Sequence, residues 1–173
     1  MVDQVLTSLI RDVPDFPKPG IVFKDITPIL ADPQAMNQVY DALIEPYREA
    51  GVTRIVGIES RGFIFGTPMA DRLNVGFVPV RKPGKLPWKT VSESYALEYG
   101  EDTLELHEDG VGEGDKVVIV DDLLATGGTL SAACRLVRRL GAEIVGASVV
   151  IELAFLEGRK KLEGTTVHSL LSY

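Results

Sequence analysis

Four aliphatic runs punctuate the chain: RIVGI at 54–58, VGFVPV at 75–80, KVVIV at 116–120 and IVGASVVIEL at 144–153. None alternates cleanly with polar residues, which marks strands buried on both faces. The segments GFIFGTPMADRL (62–73) and TLSAACRLVRRLG (129–141) place apolar residues at helical spacing, and Gly141 stops the second. Asp32-Pro33 predicts a helix start, a capping carboxylate followed by proline at the first helical position. That helix should run toward Gly51 with a disturbance at Pro46. VLTSLIRDV (5–13) reads as a short amphipathic helix. The stretch 15–30, with Pro17, Pro19 and Pro28, reads mostly as loop with an extended piece at 21–23. Partial alternation in TVSESYALEYGEDTLELH (90–107) predicts an antiparallel hairpin, and a terminal strand is expected around His168. Strands alternating with helices imply one α/β domain, 1–173, with a mainly parallel central sheet flanked by helices. In such sheets ligands bind beyond the carboxyl ends of the strands.

Composition narrows what the ligand can be. The net charge is −7 and the pI about 4.9, which argues against nucleic-acid binding. Any anionic ligand must therefore meet locally concentrated positive charge. RKPGKLPWK (81–89) supplies it, with four of the 18 basic residues in nine positions after the run VGFVPV. No apolar run approaches the ~20 residues of a membrane span, and residues 1–10 are too polar for a secretory signal. The single cysteine, Cys134, lies among Ala132, Ala133 and Leu136, where it reads as packing and suits a reducing cytoplasm. His107 and His168 have no partner at metal-ligand spacing, so no protein-built metal site is expected. Trp88 is expected to pack the basic loop or meet a second subunit.

The chemistry concentrates in VVIVDDLLATGGT, residues 117–129. A buried strand leads straight into Asp121 and Asp122, placing two carboxylates at the ligand edge. Residues 125–129 then turn into the next helix, with Gly127 and Gly128 permitting unusual dihedrals and close backbone approach. Successive loop amides and the helix N-terminus form a cradle for phosphate, to which Thr126 and Thr129 add hydroxyl donors. The carboxylates suit hydroxyl groups one sugar-length away, or a hydrated metal ion. Phosphate at one end and vicinal hydroxyls at the other describe a ribose 5-phosphate. A Walker-type loop does not fit, because the chain has no Gly-Lys-Ser/Thr triplet.

This motif resembles the phosphoribosyl-pyrophosphate signature of type I phosphoribosyltransferases. DFPKPGIVFKDITPIL, GIESRGFIFG, RKPGKLP, SYALEYG and VVIVDDLLATGGT also follow one another as in the adenine-specific branch of that family. The likeness runs from about Asp15 to the terminal HSLLSY. It implies transfer of ribose 5-phosphate from phosphoribosyl pyrophosphate to N9 of adenine, giving AMP and pyrophosphate, with Mg²⁺ held through substrate and water. Residues 1–34 would then form a base-binding hood, and residues 81–105 a flexible catalytic loop and hairpin. By the same likeness Glu59, Ser60 and Arg61 belong to a pyrophosphate loop, with the Glu59–Ser60 peptide cis when pyrophosphate or its precursor is bound, and Arg81 and Lys85 grip the pyrophosphate. The family often has a basic residue at the position of Pro83, so the resemblance leaves open whether Lys82 and Pro83 join that grip. Backbone groups of Val22 and Lys24 would read adenine between the Phe23 ring and Leu156. Glu98 would exchange a proton with the purine imidazole, and Tyr99 would help close the loop over the sugar. The family pairs its subunits near the active sites, so a homodimer is expected. Two other readings share the sugar-phosphate site: a transferase for xanthine, hypoxanthine or orotate, and a non-catalytic sensor of phosphoribosyl pyrophosphate.

Overall fold

A computed structural model describes residues 2–96, 100–162 and 164–173, the side chains of residues 2–4 excepted. The chain divides into two compact units, Met1–Ala42 and Leu43–Tyr173.

The first unit opens with helix α1, Val2–Leu9, and then strand β1, Arg11–Pro14. Helical spacing of apolar residues persists to Val13, yet the helix ends four residues earlier. Pro14 favours an extended conformation at the residue before it. The main chain of β1 instead pairs antiparallel with β2, Val22–Asp25, setting Arg11 opposite Asp25 and Val13 opposite Phe23. An ion pair crosses this ribbon at 2.7 Å from Lys24 Nζ to Asp12 Oδ1. The proline-rich stretch also contains a one-turn helix, α2 (Thr27–Leu30), where Pro28 occupies an early position that needs no amide hydrogen. Helix α3 (Pro33–Ile44) starts as its sequence predicts: Asp32 Oδ1 accepts from the amides of Gln34 at 2.8 Å and Ala35 at 3.0 Å. It stops short of Gly51, tightening into a 3-10 turn at Glu45–Tyr47 around Pro46.

The second unit is built on five parallel strands in the order β4-β3-β7-β8-β9. These are β3 (Arg54–Ile58), β4 (Gly76–Val80), β7 (Lys116–Leu124), β8 (Glu143–Glu152) and β9 (Val167–Ser172). Helix α4 (Arg61–Leu73) joins β3 to β4, and helix α5 (Gly128–Arg139) joins β7 to β8. Strand alternation separates two faces. Val56, Ile58, Val78, Val80, Val117 and Ile119 form one core with Leu130, Ala133, Leu136 and Val137 of α5. On the other face α4 lies close enough to Ile55 and Phe77 that a β-carbon on Gly66 would meet both. Cys134, 1% exposed, packs in the first core as expected. The antiparallel hairpin of β5 (Thr90–Ala96) and β6 (Glu101–His107) packs against α5. Trp88, by contrast, is exposed.

Strand order positions the ligand site. From the adjacent strands β3 and β7 the chain departs in opposite directions, through α4 to β4 and through α5 to β8. The crevice between the two departing loops is the switch point at which open α/β sheets bind ligands.

Candidate active site

The loop after β7 lines a cavity of about 200 Å³ together with Arg61, Asp121 and Asp122. Gly127 turns the chain at φ 81°, a left-handed conformation that glycine adopts without strain. No side chain caps the first turn of α5. The amides that open this helix therefore face the cavity side by side with Thr126 and Thr129. Residues 125–129 are brought together as the sequence predicts.

The acid pair differs in detail from expectation. Rather than emerging where the strand ends, Asp121 and Asp122 lie within β7, which continues in parallel pairing with β8 as far as Leu124. Two adjacent strand residues point to opposite faces, so the two carboxylates have different surroundings. Asp122 is 7% exposed and accepts from Arg61 Nε at 2.5 Å. Asp121 accepts from the Asp122 amide at 2.9 Å. Burial first, and the neighbouring Asp122 charge second, push the Asp121 carboxyl well above its usual range. Arg61 reaches Asp122 because α4 sits hard against β7: a β-carbon on Gly62 would lie 2.5 Å from the Val120 carbonyl oxygen.

A second cavity, about 310 Å³, shares Arg61, Asp121, Asp122 and Thr129 with the first and extends to Glu59, Ser60, Lys82, Tyr95 and Asp102. The Glu59–Ser60 peptide is cis. Glu59 organises the basic loop. Its carboxylate accepts from the Lys82 amide at 2.9 Å, from Arg81 Nε at 3.3 Å and from the Lys85 ammonium. Burial opposes its ionisation, but the Lys85, Lys82 and Arg81 donors outweigh burial and bring the carboxyl down to about 2. Arg81 also donates from its terminal nitrogen to the Lys85 carbonyl at 3.2 Å, so the two cations expected to face pyrophosphate are held as a unit.

Sequence reasoning missed the network on the hairpin side. The Lys82 ammonium pairs with Asp102, and the Tyr95 hydroxyl donates to Asp102 at 3.1 Å. Tyr95 in turn accepts from Thr129 Oγ1 at 3.1 Å, joining the hairpin to the start of α5. One signal was available: a hairpin over 90–107 whose ends pair, Thr90 with His107, puts Tyr95 directly opposite Asp102, which is the register found.

Other candidates line neither cavity or lie outside the described residues. Glu98 and Tyr99 fall in the latter group. Leu156, half-buried in a 3-10 turn (Ala154–Leu156), lines neither cavity. Val22, Phe23 and Lys24 form part of β2 in the first unit, where the Phe23 ring meets Phe16 edge-on at 5.3 Å. Among the described residues no group of three or more His, Cys, Asp or Glu side chains could hold a metal. No helix there is long and apolar enough to cross a membrane.

Comparison with known proteins agrees with this geometry. The phosphoribosyl transferase domain model matches residues 26–168. The chain is 58% identical over 173 residues, all of both chains, to the adenine phosphoribosyltransferase of Anaeromyxobacter dehalogenans. The crystal structure of adenine phosphoribosyltransferase from Rhodothermus marinus superposes with a TM-score of 0.94 at 53% identity, covering 99% of this chain and 98% of that one. The Saccharomyces cerevisiae enzyme, solved with an imino-altritol bisphosphate and adenine, gives 0.94 at 43% identity over 98% of each chain.

Proposed function

Because the chain belongs to the phosphoribosyl transferase family, and within it to the adenine phosphoribosyltransferases, we infer that it salvages adenine. It transfers the 5-phosphoribosyl group from phosphoribosyl pyrophosphate to N9, releasing AMP and pyrophosphate. The observation that carries this reading is the continuous cleft in which a phosphate cradle, an acid pair and an arginine meet at the sheet's switch point.

The bond from C1 to pyrophosphate breaks through a transition state with oxocarbenium character, so charge must be stabilised on both sides. Amides of 125–129 and the hydroxyls of Thr126 and Thr129 take the 5-phosphate. Asp121 and Asp122 accept from the ribose hydroxyls. Arg61, Arg81 and Lys85, with the Glu59 and Ser60 backbone, stabilise the departing pyrophosphate. Val22 and Lys24 read the N6 donor and N1 acceptor of adenine through their backbones, with Phe23 and Leu156 against the ring faces. Hypoxanthine and guanine present the opposite polarity and would leave buried polar groups unpaired. Glu98 exchanges a proton with the imidazole ring, at N7, and Tyr99 assists closure over the sugar.

Among the described residues no third His, Cys, Asp or Glu joins Asp121 and Asp122 as a metal-binding group, and such a pair fits Mg²⁺ held mainly by substrate oxygens and water. When bound, the ion neutralises charge on the pyrophosphate. The protein acts as a cytoplasmic homodimer, with the 81–89 loop near the neighbouring pyrophosphate site. A base-panel assay of pyrophosphate release tests the assignment. Adenine should react in a Mg²⁺-dependent way while hypoxanthine, guanine and uracil react poorly; comparable turnover of adenine and hypoxanthine defeats it.

A further inference from the structure

Between β8 and β9 the chain makes two 3-10 turns, Ala154–Leu156 and Gly158–Lys161, exposed at most positions. Gly158 is the buried exception, and its main chain lies directly on the phosphate loop. A β-carbon on Gly158 would stand 2.2 Å from the Ala125 carbonyl oxygen and 3.0 Å from the Gly127 nitrogen. One on Gly127 would stand 2.3 Å from the Gly158 carbonyl oxygen. The two backbones touch with no side chain between them.

Within the segment the main-chain hydrogen bonds are mostly short-range turns, with one from the Ala154 amide to the Tyr173 carbonyl, and the residue after Gly158 adds a side-chain anchor. Arg159 places its guanidinium on the end of β8: Nε donates to Glu152 Oε1 at 2.6 Å and a terminal nitrogen to Oε2 at 2.5 Å. The other terminal nitrogen donates to the Val167 carbonyl at 2.7 Å, and Ser169 Oγ lies 3.0 Å from the first and 2.8 Å from Glu152 Oε2. Glu152 is 7% exposed, although the arginine side chain is 46% exposed. A surface arginine with all three nitrogens committed to protein acceptors has a fixed geometry rather than a solvated one.

We propose that Arg159 is a positioning residue for phosphoribosyl pyrophosphate: clamped on Glu152, Val167 and Ser169, it seats Gly158 against Gly127 and so fixes the loop backbone that receives the 5-phosphate. This rests on the phosphate reading of residues 125–129 given above. Displacements of about 1 Å in such supports can cost ~10²-fold in catalysis, so weakening of ribose 5-phosphate binding by about tenfold or more is expected.

The test titrates ribose 5-phosphate calorimetrically into the full-length parent and the variants Gly158→Ala, Arg159→Ala and Thr126→Ala, with thermal melts of each. Gly158→Ala and Arg159→Ala should both weaken binding while melting cooperatively. Millimolar guanidinium ion should restore part of the affinity of Arg159→Ala and none of that of Gly158→Ala, a distinction that general loss of stability does not produce. If Thr126→Ala weakens binding and Arg159→Ala does not, the clamp has no positioning role and the proposal fails alone. If Thr126→Ala binds as tightly as the parent, the phosphate sits elsewhere and the proposal fails with the reading beneath it. Should Gly158→Ala not fold, Arg159→Ala, altered at a half-exposed position, decides the matter.

Discussion

Replacing Glu59 with glutamine keeps the side chain's shape and removes the charge around which the basic loop is arranged. In the native site this carboxylate accepts from the Lys82 amide, Arg81 Nε and the Lys85 ammonium. Glutamine retains one acceptor oxygen and turns an NH₂ donor toward a cation. The descent of the Glu59 carboxyl from 4.5 to about 2 corresponds at full strength to ~3.4 kcal/mol. Its partners Arg81 and Lys85 are 34% and 45% exposed, so solvent screening reduces this to about 1–2 kcal/mol. For a chain of this size that is a loss of roughly 2–8 °C in Tm at neutral pH. The sign of the pH dependence follows from a depressed folded-state ionisation. The contribution is present above 4.5, is lost as pH falls toward 2, and stands at roughly two-fifths of its neutral value near pH 3. Urea melts of parent and variant at pH 7, 4 and 3 measure it. The gap between them should be widest at pH 7 and should narrow as acid is added. A gap of constant size, or a variant as stable as the parent at pH 7, would refute the claim that Glu59 holds the loop by charge.

Three further outcomes are expected. Glu98→Gln should lower single-turnover chemistry by ~10²–10⁴-fold with little change in KM for phosphoribosyl pyrophosphate; near-normal chemistry would send the proton elsewhere. Tyr95→Phe removes the hydroxyl shared by Asp102 and Thr129 and should cost about 0.5–1.5 kcal/mol in chemical denaturation. An unchanged midpoint would show that the hairpin and the phosphate loop are not joined there. Sedimentation should give twice the 18.8 kDa chain mass; a fully active monomer would remove the homodimer.

What could be read from residues alone depended on whether the cause was local. Strands β3, β7 and β8 were legible because burial on both faces leaves an aliphatic run that polar spacing does not interrupt; β4 was legible as such a run too, although only Val78 and Val80 on one of its faces are buried. The α3 cap was legible because Asp32 bonds amides two and three residues ahead. The end of α1 was not, because β1 is specified by pairing with β2 some ten residues later, a choice invisible to helical spacing. Proline at 28 looked like a breaker, and its place inside the first turn of α2 hid a helix in an apparent loop. The turn from β7 into α5 was legible because its residues, Ala125 to Thr129, are contiguous. The partners that organise the cations were not: Glu59 meets Lys82 and Lys85 across 23 and 26 residues, and Arg61 meets Asp122 across 61. Such pairings are consequences of strand order, which only the fold supplies.

The adjacency of β3 and β7 also bears on how this sequence can change over time. Arg54 through Gly57 pair in unbroken parallel register with Val117 through Val120. Arg61 and the glycine-rich loop at 125–129 therefore hang from neighbouring strands spaced by main-chain hydrogen bonds, a separation common to all sheets and independent of side chains. Apolar residues beneath, such as Val56, Val118 and Ile119, fill volume without setting that distance. Drift among aliphatic residues at those positions would then alter how long the molecule survives heat or proteolysis more than how it grips its substrate. Lineages can accordingly adapt stability to their growth temperature while the spacing of the catalytic cleft is inherited unaltered from the backbone.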